Sequence, residues 1–369
     1  MQDARISKLA DLIVNYSINV QPGEQVVIRS LTTAEPLLNA LYTEIVEAGG
    51  YPFLALKFPE TDELFLKNAS DKQLAHPSDV EQYVVENFDA LIMVRGETNT
   101  KALNSIEPRK LMLSRQAEAP LMQKMMMRAA AGNIKWVSAL FPTSAYAQDA
   151  HMSLREYEDF VYHACMPDMN DPVGYWRGVE NQQARIIDWL KGKQQVHLVG
   201  KDTDLTLSIE GRCFANACCK NNVPDGEIYT GPVEDSVNGH VSFSYPAIYN
   251  GHEMAGVRLW FENGRVVKAE ADKNEQFLLE ALETDAGARS LGEFAIGTNY
   301  GIDRFSGQIL FDEKIGGSFH LALGNSYPET GGKNKSTIHW DMICDMRKNG
   351  QVYIDDQLIY QNGKFIIQF

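Results

Sequence analysis

The hydrophobic patterning of this chain changes near residue 193, and that change constrains the fold more than any other feature. Before it, short apolar runs at 25–29, 51–58 and 90–94 alternate with stretches of helical periodicity. Continuous apolar runs are typical of strands that are buried on both faces, and intervening helices suit parallel connections. We therefore predict an α/β domain with a parallel sheet for residues 1–193.

After this point apolar and polar residues alternate, as in the segments 204–209, 256–261 and 266–270. A period of two residues, interrupted by turns that contain Asn-Gly, is typical of antiparallel hairpins. A single helical pattern follows at 274–283. We predict an α+β domain of mainly antiparallel strands for residues 194–369.

The overall charge and the cysteines limit the class of protein. The formal net charge of -15 disfavours nucleic acid or an anionic membrane surface as a partner. The five cysteines are odd in number and lack paired CxxC spacing, which favours free thiols in a reducing compartment. The N-terminus has no signal-peptide pattern, and no apolar run approaches the roughly 20 residues of a membrane span. We expect a cytoplasmic enzyme.

The first half shows no nucleotide-binding motif, because neither GxGxxG nor GxxxxGK[ST] occurs in it. We interpret it as a structural domain. Its helical stretch at about 110–131 contains Met122, Met125, Met126 and Met127. Methionine adapts to irregular gaps, so we predict that these side chains fill the core.

The segment 336–344 combines an apolar face with a face that could bind metal. Side chains alternate along a strand, so His339 and Asp341 point one way while Ile338 and Trp340 point the other. Burial explains the apolar face. The histidine and the aspartate are not needed by a core, and they make this strand a candidate metal site.

The same alternation recurs in three further segments. His320 shares a strand face with small residues such as Ala322, while Glu293 and Glu227 stand opposite apolar neighbours. Taken singly, a strand glutamate is usually solvated, and a histidine is more often a hydrogen-bonded structural group. Together with His339 and Asp341 they supply five nitrogen and oxygen ligands in one domain. Such a set suits two divalent ions better than one closed structural zinc, and two ions about 3.5–4 Å apart would activate a bridging water and polarise a carbonyl.

These segments resemble the aminopeptidase T/aminopeptidase S family, the thermophilic-type metallo-aminopeptidases. The matching stretches occur in order and are 222–239, 291–299, 311–320, 326–332 and then His339-Trp-Asp341. The resemblance implies hydrolysis of N-terminal residues from short peptides by a homodimer that uses two divalent ions per chain. Zinc or cobalt is expected first, with manganese or magnesium as alternatives. The ligands it implies are Glu227, Glu293, His320, His339 and Asp341.

The resemblance also implies that Tyr327 is an active-site residue. We expect this tyrosine to donate a hydrogen bond to the developing oxyanion, although Tyr-Pro pairs also begin ordinary turns. The general base stays open at this stage. Glu293, Glu313 and Glu329 are the candidates, and the sequence does not rank them.

Two other functions are consistent with part of this pattern. Ring-opening dioxygenases that act on dihydroxypyridine are similar to this family and hold one iron with two histidines and an aspartate, a role that His320, His339 and Asp341 could fill. A metal-stabilised binding protein without catalysis is the other alternative. The presence of both Glu227 and Glu293 favours two metals and hydrolysis.

Overall fold

The computed structural model describes residues 3–249 and 251–368. By packing, the chain divides into two compact units. The first comprises Met1–Val173 and Cys219–Pro224, and the second comprises Gly174–Cys218 and Asp225–Phe369. This division differs from the boundary that we predicted between residues 193 and 194. The helix that precedes residue 193 buries Ile186 and Leu190 in the core of the antiparallel strands, so by packing it belongs with them.

Helices dominate the first part of the chain, and strands dominate the rest. The elements before the second unit are α1 (Ala4–Asp11), which a π-helical turn at Leu12–Ser17 extends, β1 (Gln25–Leu31), α2 (Glu35–Glu47), β2 (Tyr51–Lys57), α3 (Thr61–Asn68), α4 (Asp71–Leu74), α5 (Asp79–Asn87), β3 (Ala90–Arg95), α6 (Pro108–Ala130), β4 (Lys135–Leu140), α7 (Ser144–Asp149) and α8 (Leu154–Cys165). The later elements are α9 (Pro172–Leu190), β5 (Gln195–Gly200), β6 (Thr203–Ser208), β7 (Ala215–Ala217), β8 (Asn222–Val223), β9 (Glu227–Thr230), β10 (Asn238–Ser242), β11 (Ala247–Tyr249), β12 (His252–Met254), β13 (Arg258–Glu262), β14 (Arg265–Glu270), α10 (Glu275–Leu282), β15 (Leu291–Gly297), α11 (Ile309–Asp312), β16 (Ser318–Gly324), β17 (His339–Asp345), β18 (Gln351–Ile354), β19 (Gln357–Gln361) and β20 (Lys364–Phe365).

The first unit contains the predicted parallel sheet. Its strand order is β2-β1-β3-β4-β8, and every neighbouring pair is parallel. Val26, Val27 and Ile28 of β1 are fully buried, as expected for a central strand covered on both faces. The last strand, β8, comes from the segment that returns to this unit after the second one has begun.

The second unit contains two larger antiparallel sheets and a two-stranded hairpin, β11-β12. The eight-stranded sheet has the order β14-β13-β10-β6-β5-β18-β19-β20. The five-stranded sheet has the order β17-β16-β15-β9-β7, and we call it the ligand sheet. Both domain classes predicted from the patterning are confirmed.

One continuous core joins the two larger sheets of the second unit. Phe294, Leu321 and Trp340 of the ligand sheet are buried together with Leu198 and Leu205 of the eight-stranded sheet. The first three belong to the strand faces that we predicted to be apolar. Burying that face fixes the register, because a slip by one residue would exchange it with the opposite face. The opposite face therefore presents the polar residues.

The methionine prediction is wrong for three of the four residues. Met125 is 4% exposed, but Met122, Met126 and Met127 are 56%, 45% and 66% exposed. Met125 is the one residue of helix α6 that is buried, so most of the surface of this helix faces away from the core. Among the described residues, no helix combines the length and the apolar character that crossing a bilayer requires.

Candidate metal centre

All five predicted ligands lie on four neighbouring strands of the ligand sheet. Each is paired across the ladder with a small residue, and this removes bulk from the face. Ala322 of β16 lies opposite both Glu293 and Asp341, and Ala295 lies opposite His320. The two remaining ligands face glycines, Glu227 opposite Gly297 and His339 opposite Gly324.

Their atoms form two groups that share one carboxylate. Ligand atoms of Glu227, Glu293 and His320 lie within 4.8 Å of one another, and we call this the buried triad. Ligand atoms of Glu293, His339 and Asp341 do the same and form the open triad. Glu293 thus lies at the centre, with Oε1 3.4 Å from Nε2 of His320 and Oε2 3.2 Å from Nε2 of His339. The structure brings together all five residues predicted as ligands.

Backbone carbonyls orient both imidazole rings. Nδ1 of His320 lies 2.9 Å from the carbonyl oxygen of Glu313, and Nδ1 of His339 lies 2.8 Å from that of Asn325. A carbonyl oxygen can only accept, so each Nδ1 carries the proton. Each Nε2 is therefore the nitrogen that faces the carboxylates, and this arrangement is typical of metal-binding histidines.

Burial and neighbouring charges shift the pKa values of all five residues. Burial alone would lower the pKa of His320 and His339, but the surrounding carboxylates raise both pKa values well above neutral. Burial raises the pKa of Glu227. Burial would do the same to Glu293 and Asp341, yet the two histidines lower both of these pKa values. Without metal, protons on the imidazoles replace the positive charge that the carboxylates require.

Two buried oxygen atoms test whether this set suits a metal ion. Among the described residues, Oε2 of Glu227 and Oδ1 of Asp341 are fully buried carboxylate oxygens that accept no hydrogen bond of normal geometry. Oε2 of Glu227 lies 3.7 Å from Nε2 of His320, and Oδ1 of Asp341 lies 3.8 Å from that nitrogen and 3.4 Å from Nε2 of His339. A buried carboxylate oxygen without a hydrogen-bond donor is costly. A divalent ion bound among these nitrogen and oxygen ligands would give both oxygens a positive partner. The residues therefore fit a divalent metal ion.

Tyr327 lies next to the open triad. Its ring packs edge-on against the ring of His339, with centroids 5.1 Å apart, and contacts the ring of Tyr229 at 5.3 Å. Burial, and then the charges of Glu293 and Asp341, raise the pKa of Tyr327 above its usual range. The phenol therefore keeps its proton and can act as a hydrogen-bond donor.

The other two carboxylates considered as bases occupy different surroundings. The Glu313 carboxylate is paired with the ammonium group of Lys314. Glu329 is exposed and accepts a 3.4 Å hydrogen bond from the hydroxyl of Tyr229. Of the three candidates, only Glu293 has both oxygens directed at the two histidines.

Lys314 is a residue that the sequence reasoning missed. Its side chain is completely buried, and its ammonium nitrogen lies 3.4 Å from Oε1 of Glu227. An Asp-Glu-Lys sequence normally indicates a solvated loop. The sequence contained only a weak sign that this lysine is buried. It consisted of the flanking apolar residues Phe311 and Ile315, which are also fully buried.

The chain is similar to known proteins along most of its length. The family model described as thermophilic metalloprotease (M29) matches residues 2–365. Aminopeptidase 2 from Geobacillus stearothermophilus is 26% identical, and the match covers 92% of each chain. Aminopeptidase PepS from Streptococcus thermophilus is also 26% identical, with 98% of each chain covered.

Two solved structures have folds similar to that of this chain. Wild-type AmpT from Thermus thermophilus superimposes with a TM-score of 0.86 at 22% identity, covering 98% of this chain and 99% of that one. The 2,5-dihydroxypyridine dioxygenase from Pseudomonas putida KT2440 superimposes less well, with a TM-score of 0.57 at 13% identity and 98% and 97% of the two chains covered. The family resemblance seen in the sequence is confirmed, and this chain is a hydrolase that belongs to the thermophilic metalloprotease (M29) family.

Proposed function

We propose that this protein is an aminopeptidase that removes N-terminal residues from short peptides with the help of two divalent metal ions. The observation that carries the proposal is the position of Glu293 in both ligand groups. A carboxylate can bridge two ions through its two oxygens, and each Glu293 oxygen faces a different histidine. The aminopeptidase names of the curated relatives support the substrate class.

In this proposal the five residues of the two triads hold the ions. Two ions bound there would activate a water molecule and polarise the scissile carbonyl. The ligands are nitrogen and oxygen atoms without sulfur, a set that suits zinc or cobalt and also admits manganese or magnesium. The metal ligands in this proposal are Glu227, Glu293, His320, His339 and Asp341.

The chain's own residues supply the remaining steps. Tyr327, which keeps its proton, donates a hydrogen bond to the oxygen of the scissile carbonyl as negative charge develops there. Glu293 takes the proton of the attacking water and passes it to the leaving amine. We favour it as the base over Glu313 and Glu329, because of the three only Glu293 belongs to the two triads, beside which the attacking water would be held.

The wider setting belongs to the same proposal. The family resemblance supports a homodimer, which light scattering on the purified protein would test. Cys213 and Cys344 are free thiols, which supports a reducing cytoplasmic location. The net charge of -15 supports a peptide rather than a nucleic acid or an anionic membrane as the partner.

The decisive experiment measures metal content and cleavage together. We expect about two ions per chain, release of single N-terminal residues from short peptides, and turnover of leucyl anilides. A chelator should abolish cleavage, and zinc or cobalt should restore it. An N-acetylated copy of each peptide is the matched control and should resist cleavage.

A ring-opening dioxygenase is the alternative function, because the fold of one such enzyme is similar to that of this chain. A likeness at 13% identity concerns the fold alone. In this chain the two histidines fall in different triads, which favours two ions over a single iron held by His320, His339 and Asp341. One iron per chain, oxygen consumption and no peptide cleavage would overturn the aminopeptidase proposal.

A further inference from the structure

Lys314 is a completely buried lysine that contacts the buried triad. Its side chain is 0% exposed, and its ammonium group contacts the carboxylates of Glu227 and Glu313. A lysine is rarely buried unless its charge is paired. The lysine is therefore a fixed positive charge behind the buried triad.

The dipeptide 313–314 supports two ligands at once. Its first residue accepts a hydrogen bond from Nδ1 of His320 through the main-chain carbonyl. Its second residue holds Oε1 of Glu227 through the side chain. The main chain of Lys314 is itself fixed, because its carbonyl oxygen accepts a 3.1 Å hydrogen bond from the backbone N–H of Asn299.

The two oxygens of Glu227 consequently have different surroundings. Oε1 lies 3.4 Å from the lysine ammonium, whereas Oε2 is buried without a hydrogen-bond donor and points toward Nε2 of His320 at 3.7 Å. A carboxylate with both oxygens free could rotate or bind an ion through both. The lysine restricts that choice to one oxygen.

Building on the proposed metal centre, we propose that Lys314 is a positioning residue that binds Oε1 of Glu227 and leaves Oε2 for the ion of the buried triad. Groups that orient metal ligands from behind commonly affect metal affinity by about 10- to 100-fold. The ion pairs of Lys314 are made with Glu227 and Glu313, neither of which belongs to the open triad. The effect of Lys314 should therefore fall on one of the two ions.

The first test uses the metal-free protein. Thermal unfolding is compared for the wild type, Lys314→Met, Glu227→Gln and the double variant. Lys314→Met should lower the melting temperature, and the loss should be smaller in the Glu227→Gln background, because the lost partner is already neutral. Equal losses in both backgrounds would show that the lysine and the glutamate are not coupled, and the proposal would fail.

The second test titrates Co²⁺ and follows its visible absorption, which reports the coordination of each ion. In Lys314→Met, one of the two ions should bind about 10- to 100-fold more weakly and with an altered spectrum. The other ion should bind with the affinity that it has in the wild type. A lysine that served only general stability would leave the affinity and the spectrum of both ions unchanged.

Lys335→Met is the matched control, because that lysine is exposed in the loop before β17. It should bind both cobalt ions as the wild type does. If the wild type binds two ions and Lys314→Met binds both equally well, the role of Lys314 is overturned while the proposed function stands. If the wild type binds no metal, the proposed function and the role of Lys314 toward a metal both fail.

Discussion

The buried triad and the open triad contain the same kinds of ligand but differ in access. The side chains of His320 and Glu227 are 1% and 7% exposed, whereas His339 is 26% exposed. A lysine lies behind the first group, and the ring of Tyr327 lies beside the second. Both histidines are oriented by a backbone carbonyl in the same way.

This difference teaches that access, rather than ligand chemistry, separates the two positions. The buried triad is constructed like a protein core in which each charge has a fixed partner. The open triad keeps one ligand in reach of solvent and places a hydrogen-bond donor next to it. We therefore expect substrate to approach from the side of His339.

The largest effect is expected from Glu293→Gln, because this residue belongs to both triads. The amide cannot bridge two cations as a carboxylate does, so binding of both ions should weaken and kcat should fall by more than about 10³-fold. Metal analysis and peptide turnover measure the two effects. If the variant kept two tightly bound ions, the two triads would not share this ligand.

A contrast between His320→Ala and His339→Ala comes next. Both should reduce metal content to about one ion per chain. The metal-free His320→Ala protein should also lose about 2–4 kcal/mol of unfolding free energy, because it creates a buried cavity beside unpaired carboxylates. His339→Ala should lose less than about 1 kcal/mol, since its site is partly open. Equal losses on chemical denaturation would contradict the distinction between the triads.

Tyr327→Phe tests the open side alone. Removing a hydrogen-bond donor to a developing oxyanion typically reduces kcat by about 10²- to 10³-fold. KM and metal content should stay close to those of the wild type, because the ring itself is retained. Tyr229→Phe is the neighbouring control and should reduce kcat far less. A Tyr327→Phe enzyme with full activity would make this tyrosine a structural residue.

Metal binding should displace protons, and calorimetry in buffers of different ionisation enthalpy would count them. The raised pKa values mean that His320 and His339 are protonated at neutral pH in the metal-free protein. Each ion must therefore displace a proton. The apparent metal affinity should rise with pH, up to the pH at which the two histidines lose their protons even without metal. Binding that is independent of pH between about 6 and 8 would contradict the charge balance described for the metal-free site.

The smallest effect is expected from Asp285→Asn, which weakens the support of the open triad. Asp285 accepts hydrogen bonds from the backbone and hydroxyl of Thr337 and from Ser336, just before β17. Although burial opposes it, these bonds lower the pKa of Asp285 to about 2. The variant should lose about 1 kcal/mol of unfolding free energy, a modest value for a half-exposed carboxylate.

The pH dependence of that loss has a defined sign. A carboxylate with a depressed pKa in the folded state stabilises the protein above its unfolded pKa, near 3.8. That stabilisation disappears as the pH falls toward 2. The difference between wild type and Asp285→Asn should therefore be constant above about pH 5 and shrink below about pH 4. A difference that persists at low pH would mean that the hydrogen bonds do not depend on the charge.

The sequence predicted the ligand strands well because one physical rule governed them. A period of two residues separates the face that Trp340 and Phe294 bury from the face of His339 and Glu293, and burial of the apolar side fixed the register. The same alternation placed small residues on the strand faces that carry the ligands. Ala322, between two carboxylates, is the clearest case.

The rest depended on contacts that the local pattern does not encode. Lys314 lies in a polar tripeptide, and only the tertiary fold reveals that it is buried beside Glu227. Helix α9, which ends at Leu190, precedes the change of hydrophobic pattern near residue 193, yet it packs into the core of the second unit. The methionines of α6 were misjudged for the opposite reason, because hydrophobic side chains do not by themselves show whether a partner covers them.

The return of residues 219–224 to the first unit has a consequence for how the protein is made. A ribosome that has synthesised only the first 173 residues has not yet produced β8, the strand that pairs with β4. Until residue 223 emerges, the nascent sheet has an unpaired edge at which another chain could bind. A gene divided at codon 173 would separate β8 from its sheet. If the protein is expressed as two fragments, the first fragment should therefore carry an added copy of residues 219–224.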